Sequence, residues 1–131
     1  MFLNGGPVSW GSKLQKVVAT STAEAEINAA TEVVKETVHY RLLQKEIGED
    51  LNESKPTTVW EDNQAAMLMA NSDKSAKGAK HFEIRLHFLQ QQVQNGAVKF
   101  KPIPTDAQIA DLLTKPLAFD KFSRFATRLV S

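Results

Sequence analysis

At 131 residues, with 42% hydrophobic and 24% charged side chains, the chain has the balance of one globular domain able to bury a core without disulfides or a structural metal. It contains no cysteine, which excludes thiolate nucleophiles, disulfide frameworks and zinc fingers and fits an intracellular, soluble protein. The net charge of +1 does not mark a nucleic-acid binder, so any such role must rest on where the charges lie.

The opening MFLNGGPVSW has neither a basic start nor a long apolar run, so it reads as neither a signal peptide nor a membrane span. Phe2-Leu3 followed by Asn4-Gly5-Gly6 predicts a strand and a tight hairpin turn, because asparagine and glycine tolerate positive φ. Val8-Ser9-Trp10 and the β-branched run Lys16 to Thr20 predict two further extended segments. Ser21 with Glu24 three residues on forms a capping box. It starts a helix whose apolar positions Ala23, Ile27, Ala30, Val34, Val38 and Leu42 recur at steps of three and four, with Gly48 as its stop.

Asn52 to Pro56 is a polar link. Thr57 to Glu61 then reads as a buried strand and Asn63 to Ala70 as a short helix. Residues Ser72 to Ala79 are small, polar and basic and predict a loop. Phe82, Leu86, Leu89 and Val93 give a helical stripe ending at Asn95-Gly96, and Val98 and Phe100 alternate with Lys99 and Lys101 as a half-exposed strand. Thr105 and Gln108 repeat the capping-box spacing and predict a helix through Asp111 to about Lys115-Pro116. A last amphipathic run carries Phe119, Phe122, Ala126 and Leu129, and Trp10, Trp60 and the phenylalanines read most simply as core. The order of elements points to a single α/β domain over residues 1–131 with a mixed sheet.

Three acids occupy positions from which side chains could converge: Glu26 early in the long helix, Asp62 at the end of an apolar strand, and Asp111 early in a later helix. Carboxylates are hard oxygen ligands suited to magnesium or manganese. First-turn and strand-ending acids are also common for capping and dipole reasons, so spacing alone leaves both readings open. Lys74, Lys77, Lys80, His81, Arg85 and His87 cluster against only Asp73 and Glu83, which suits either a phosphate-gripping loop and helix or a solvated face. The three histidines offer no i, i+4 metal pair, and no serine stands beside a histidine and an acid in a hydrolase pattern.

Four collinear blocks, GGPVSWGSKLQKVVATSTAEAE, WEDNQAA, AKHFEIRLHFL and IPTDAQIADLLTKPL, resemble the ribonuclease H region of copia-type LTR retrotransposon Pol polyproteins in order and spacing. The resemblance implies a ribonuclease H-like fold, a five-stranded mixed sheet with helices, and two-metal hydrolysis of the RNA strand of RNA–DNA hybrids. It implies Glu26, Asp62 and Asp111 as metal-holding acids, with Glu24 as the alternative to Glu26, and two magnesium or manganese ions as cofactors. Lys80, His81, Arg85 and His87 become candidates for contact with the nucleic-acid backbone, and Asn63 and Gln64 for supporting donors. The implied partners are the hybrid and the adjoining reverse transcriptase region of the same polyprotein, with no membrane.

The chain departs from that pattern at Val38-His39-Tyr40, where relatives carry a tryptophan, and at Ala79, where they carry a threonine. It also starts after the point where relatives have a central first strand bearing a fourth acid. Lack of that strand predicts an incomplete site, inactivity of the chain alone, and unpaired sheet edges open to pairing with another chain. The rival expectation is a non-catalytic remnant that binds nucleic acid or protein through the same fold.

Overall fold

A computed structural model describes residues 1–3, 5–13, 15, 19, 21–48, 55–73 and 80–130. The chain opens with a hairpin of β1 (Phe2–Leu3) and β2 (Gly6–Pro7), antiparallel with Phe2 opposite Pro7, and Gly5 turns it at φ +85°. Val8 to Trp10 are not a strand, although Val8 N–H donates to the Met1 carbonyl at 2.9 Å and the Ser9 carbonyl accepts from the Met1 amino group. Most of the predicted strand at Lys16 to Thr20, namely residues 16–18 and 20, lies outside the described residues, as do Asn4, Lys74 and Lys77.

Helix α1 (Thr22–Glu46) begins where the capping box puts it: Ser21 Oγ accepts from the Glu24 amide at 3.1 Å. Gly48 follows its end at φ +75°. Ser21→Ala is expected to cost about 1 kcal/mol in urea unfolding, because one orphan amide of the first turn loses its acceptor. Along α1 the buried stripe is Ile27, Ala30 and Val34, joined by Thr31 and Thr37, whose hydroxyls donate to the Ile27 and Val33 carbonyls within the helix. Leu42, expected in that stripe, is exposed, because the buried stretch of α1 ends at Thr37.

β3 (Thr57–Glu61) and β4 (Val98–Pro102) pair in parallel, with Thr57 opposite Val98 and Glu61 opposite Pro102. A parallel pair needs a crossover, supplied here by α2 (Gln64–Ala70) and α3 (Lys80–Gln94). Pro102 has no amide to offer, and the ladder is extended by Ile103 N–H to the Glu61 carbonyl at 3.1 Å. The core lies between α1, α2, α3 and β4: Ile27, Ala30, Val34, Ala66, Ala70, Leu86, Leu89, Val98 and Phe100. The alternation read from Val98 and Phe100 is therefore the buried face of β4, and Gly96 at φ +71° makes the turn from α3 into it.

Several expectations fail for identifiable reasons. Among the described residues the strands form two separate two-stranded sheets rather than one mixed sheet, and the strand expected at residues 16–20 lies largely outside them. β3 is not buried on both faces: Val59 and Glu61 point inward, while alternation turns Trp60 out, 53% exposed. Trp10, Phe2, Phe119 and Phe122 are exposed too, so the aromatics are not generally core.

The helix expected from Thr105 is replaced by two 3-10 turns, Thr105–Ala107 and Ile109–Leu113. Neither has a side-chain cap; Gln108 is extended between them, and its side-chain amide reaches the Trp60 carbonyl at 3.4 Å. Helix α4 (Phe119–Val130) ends the chain, but its buried residue is Phe125 rather than Phe119 or Phe122.

Candidate metal centre

Two hydrogen bonds bring the C-terminal turns against the carboxyl end of β3: Ile103 N–H to the Glu61 carbonyl and Gln108 to the Trp60 carbonyl. In open α/β sheets this end of the strands is where ligands gather. The sharp bend after β3 is fixed locally. Glu61 Oε1 accepts from Asn63 N–H at 2.9 Å, and Asn63 Oδ1 caps α2 by accepting from Ala66 N–H at 3.0 Å. Asp62 is held between these two anchors, half-buried, one residue beyond the strand rather than within it.

Glu26 comes from the second turn of α1 and Asp111 from the second 3-10 turn. Glu26 feels the charge of both Asp62 and Asp111. The Glu26 carboxyl is raised above its ordinary value first by burial, then by repulsion from Asp62 and, more weakly, Asp111; Lys115 opposes the rise. Glu24, the alternative, lies half-buried in the first turn of α1. Asp111 is 5% exposed, and its Oδ2 is buried without a hydrogen-bond partner. Its Oδ1 lies 2.8 Å from Lys115 Nζ and its Oδ2 3.9 Å from Lys121 Nζ. Yet among the described residues no three His, Asp or Glu side chains are gathered closely enough to hold a metal ion. The acids share a field without forming a closed ligand shell.

Glu61 is not among the acids singled out from the sequence. It is buried, and its carboxyl is pushed up to about 7 by burial, with Glu26 and Asp62 adding repulsion against the favourable Asn63 amide. The available signal was alternation, which puts Glu61 on the Val59 face. An unfolded glutamate titrates at 4.5, so the folded state binds the extra proton between there and about 7. The stability this confers is complete below 4.5 and is lost as pH rises through 7. Glu61→Gln is therefore expected to raise stability at pH 8 in EDTA by at most about 3 kcal/mol, taking 1.36 kcal/mol per pH unit, with much less gain at pH 5. Urea unfolding at the two pH values measures it, and equal gains at both would contradict the assignment.

The nucleic-acid candidates separate. Lys80 and His81 are exposed at the start of α3, and Gln64 is exposed at the start of α2. Arg85 is committed elsewhere: its guanidinium donates to Asn28 Oδ1, bracing α3 on α1, and Asn28 in turn donates to Gln15 Oε1 at 3.3 Å. Asn63 is occupied as the α2 cap. His87 is exposed, seven residues after Lys80 and so on the same side of α3, and lines an open cavity of about 420 Å³ with Glu83, Ile84, Phe88 and Gln91. No described helix is long and apolar enough to cross a membrane.

Along 91% of its length the chain is 37% identical to the retrovirus-related Pol polyprotein from transposon TNT 1-94 of Nicotiana tabacum. It is 34% identical over 98% of its length to the one from transposon RE1 of Arabidopsis thaliana, and 36% over 95% to that from RE2 of the same plant. The chain is a relative of copia-type retrotransposon Pol polyproteins. It spans 9% of the length of each. No protein-family model and no solved structure matches this Pol segment.

Proposed function

We propose that this Pol segment is a ribonuclease H-like domain that hydrolyses the RNA strand of RNA–DNA hybrids, beside the reverse transcriptase region of its polyprotein. What carries the reading is that Glu26, Asp62 and Asp111, from three separate elements, meet electrostatically at the carboxyl end of β3, with one Asp111 oxygen buried and lacking a hydrogen bond. Hard oxygen donors that repel one another and are partly desolvated suit a small divalent cation such as magnesium or manganese. Two such ions, when bound, activate a water and stabilise the leaving oxygen of a phosphodiester.

The chain's own residues supply placement. Glu61 and Asn63 fix the peptide that aims Asp62, and Gln108 ties the turn bearing Asp111 to β3. Lys80 and His81 are the exposed candidates for contact with backbone phosphates, and Gln64 a candidate donor; Arg85 and Asn63 serve the fold first. The relatives extend far beyond the matched segment. In this proposal a strand N-terminal to it in the polyprotein pairs with β3 and brings a fourth acid.

A longer Pol segment containing residues 1–131 and the sequence before them is expected to cut the RNA strand of a labelled hybrid in magnesium and not in EDTA. Salt-dependent binding of the hybrid without any cut would instead identify a non-catalytic binding module. That second reading is favoured by one observation, the lack of a closed ligand shell among the described residues.

A further inference from the structure

We infer that the outward face of the β3–β4 pair is a binding surface for single-stranded nucleic acid, on which Trp60 stacks an unpaired base while Lys99 and Lys101 hold the phosphates beside it. Neither a metal ion nor nuclease activity is needed for it.

Strand alternation and register build the surface. Val59 and Glu61 of β3 turn toward the helices, as do Val98 and Phe100 of β4, and the Thr57 hydroxyl accepts from Arg41 of α1 at 3.2 Å. The residues between them face the other way: Thr58 and Trp60 on β3, Lys99 and Lys101 on β4. The strands are parallel, with Thr58 opposite Lys99 and Trp60 opposite Lys101, so the four side chains make a two-by-two patch, about 5 Å apart between strands and about 7 Å along each. No acid stands among them.

The helices that bury the core with β4, namely α1, α2 and α3, lie on the inner side, which leaves Trp60 53% exposed, Lys101 exposed and Lys99 half-buried. The indole stands on a fixed support, because the Trp60 backbone is held by the pairing with β4 and by the Gln108 side-chain amide, which donates to its carbonyl at 3.4 Å. The lysines are not spent on the fold. Among the described residues Lys99 and Lys101 form no ion pair, whereas Lys115 and Lys121 are paired with Asp111 and Lys35 with Glu32.

Charge and shape select the ligand. Two unpaired ammonium groups with no acid between them complement a polyanion, and a bare indole beside them complements a flat ring. In a duplex each base is already stacked and paired, so an aromatic side chain standing up from a sheet reaches a base face only in a single strand. A further strand beside β3, as in the proposed complete domain, widens this face without covering it.

The test is titration of the 131-residue chain into a labelled oligothymidylate in EDTA, at several salt concentrations, read by fluorescence anisotropy. The chain has two tryptophans, so Trp10→Phe leaves Trp60 alone, and its emission is expected to fall on binding. Trp60→Leu is expected to weaken binding on the order of tenfold, the scale of one stacked base, and Trp60→Phe, which keeps a ring, by less. Lys99→Gln and Lys101→Gln should each flatten the dependence of log affinity on log salt by about 0.7, the share of one phosphate on a single strand. Arg128→Gln, which removes an exposed charge from α4, should leave that dependence unchanged.

No binding, binding that leaves Trp60 emission unaltered, or equal effects of Arg128→Gln and Lys101→Gln overturns the inference. An RNA–DNA hybrid that binds as tightly as the single strand through the same residues does so too. If Trp60→Leu does not fold, the two lysine variants decide. Hybrid cleavage by the longer Pol segment with no single-strand binding on this face would remove this inference alone; single-strand binding without any cleavage would remove only the nuclease reading.

Discussion

Asp62→Asn in a longer Pol segment that cuts RNA–DNA hybrids is expected to lower the magnesium-dependent cleavage rate on the order of 10³-fold, with little change in folding. Asparagine keeps the shape and one oxygen but loses the charge. In the proposed site the field of the carboxylates would hold a hard divalent cation and let it act on a phosphodiester, a contribution of several kcal/mol, at 1.36 kcal/mol per tenfold in rate. The folding cost should be small, because Asp62 is half-buried and the bend around it is fixed by Glu61 and Asn63 rather than by its own side chain. One repulsion on Glu26 disappears with the Asp62 charge. A variant that folds and cleaves within tenfold of the wild type would remove Asp62 from the site.

The largest effect on stability should come from Phe125→Ala, at about 3 kcal/mol or more, the usual cost of deleting a buried phenylalanine ring. Phe119→Ala in the same helix should cost under about 0.5 kcal/mol, as exposed substitutions do. The residue type and the element are the same, and burial is the difference: Phe125 is 2% exposed and Phe119 80%. Phe125 also carries Lys121 and Arg124 over its ring, and these hold the 3-10 turns through Thr105 and Asp106. Loss of the ring should therefore loosen the Asp111 turn as well as α4. Equal costs for the two variants, measured by urea unfolding, would mean that α4 does not pack on this face.

The contrast within α4 illustrates what the sequence allows one to read. Local signals worked where one element settles its own structure. Ser21, Glu24 and Gly48 bound α1 because capping and a positive-φ stop are local devices, and Val98 and Phe100 mark the inner face of β4 because alternation is local too. The spacing of Thr105 and Gln108 is that of a capping box, but a tertiary partner won: the Gln108 side chain binds β3 at the Trp60 carbonyl. The aromatics misled for a related reason. An apolar stripe looks the same whether or not something covers it, and Phe119, Phe122 and Trp60 face outward here.

Glu26, Asp62 and Asp111 are singled out as a set only through the blocks that surround them, because the repulsion that Asp62 and Asp111 exert on Glu26 depends on how α1, β3 and the C-terminal turns pack. Lys115 was present in the spacing as a residue four beyond Asp111, but Lys121 and Glu61 join the acids through tertiary packing and strand alternation.

The most direct test of one cation site built by three elements is paramagnetic broadening of the backbone amide signals of the 131-residue chain as Mn2+ is added in small amounts. Signals around Glu26, Asp62 and Asp111 should fade together at the lowest Mn2+, while those of Leu86 to Gln94 persist. Broadening centred on α3, or spread evenly over surface acids such as Glu32 and Asp120, would contradict the account.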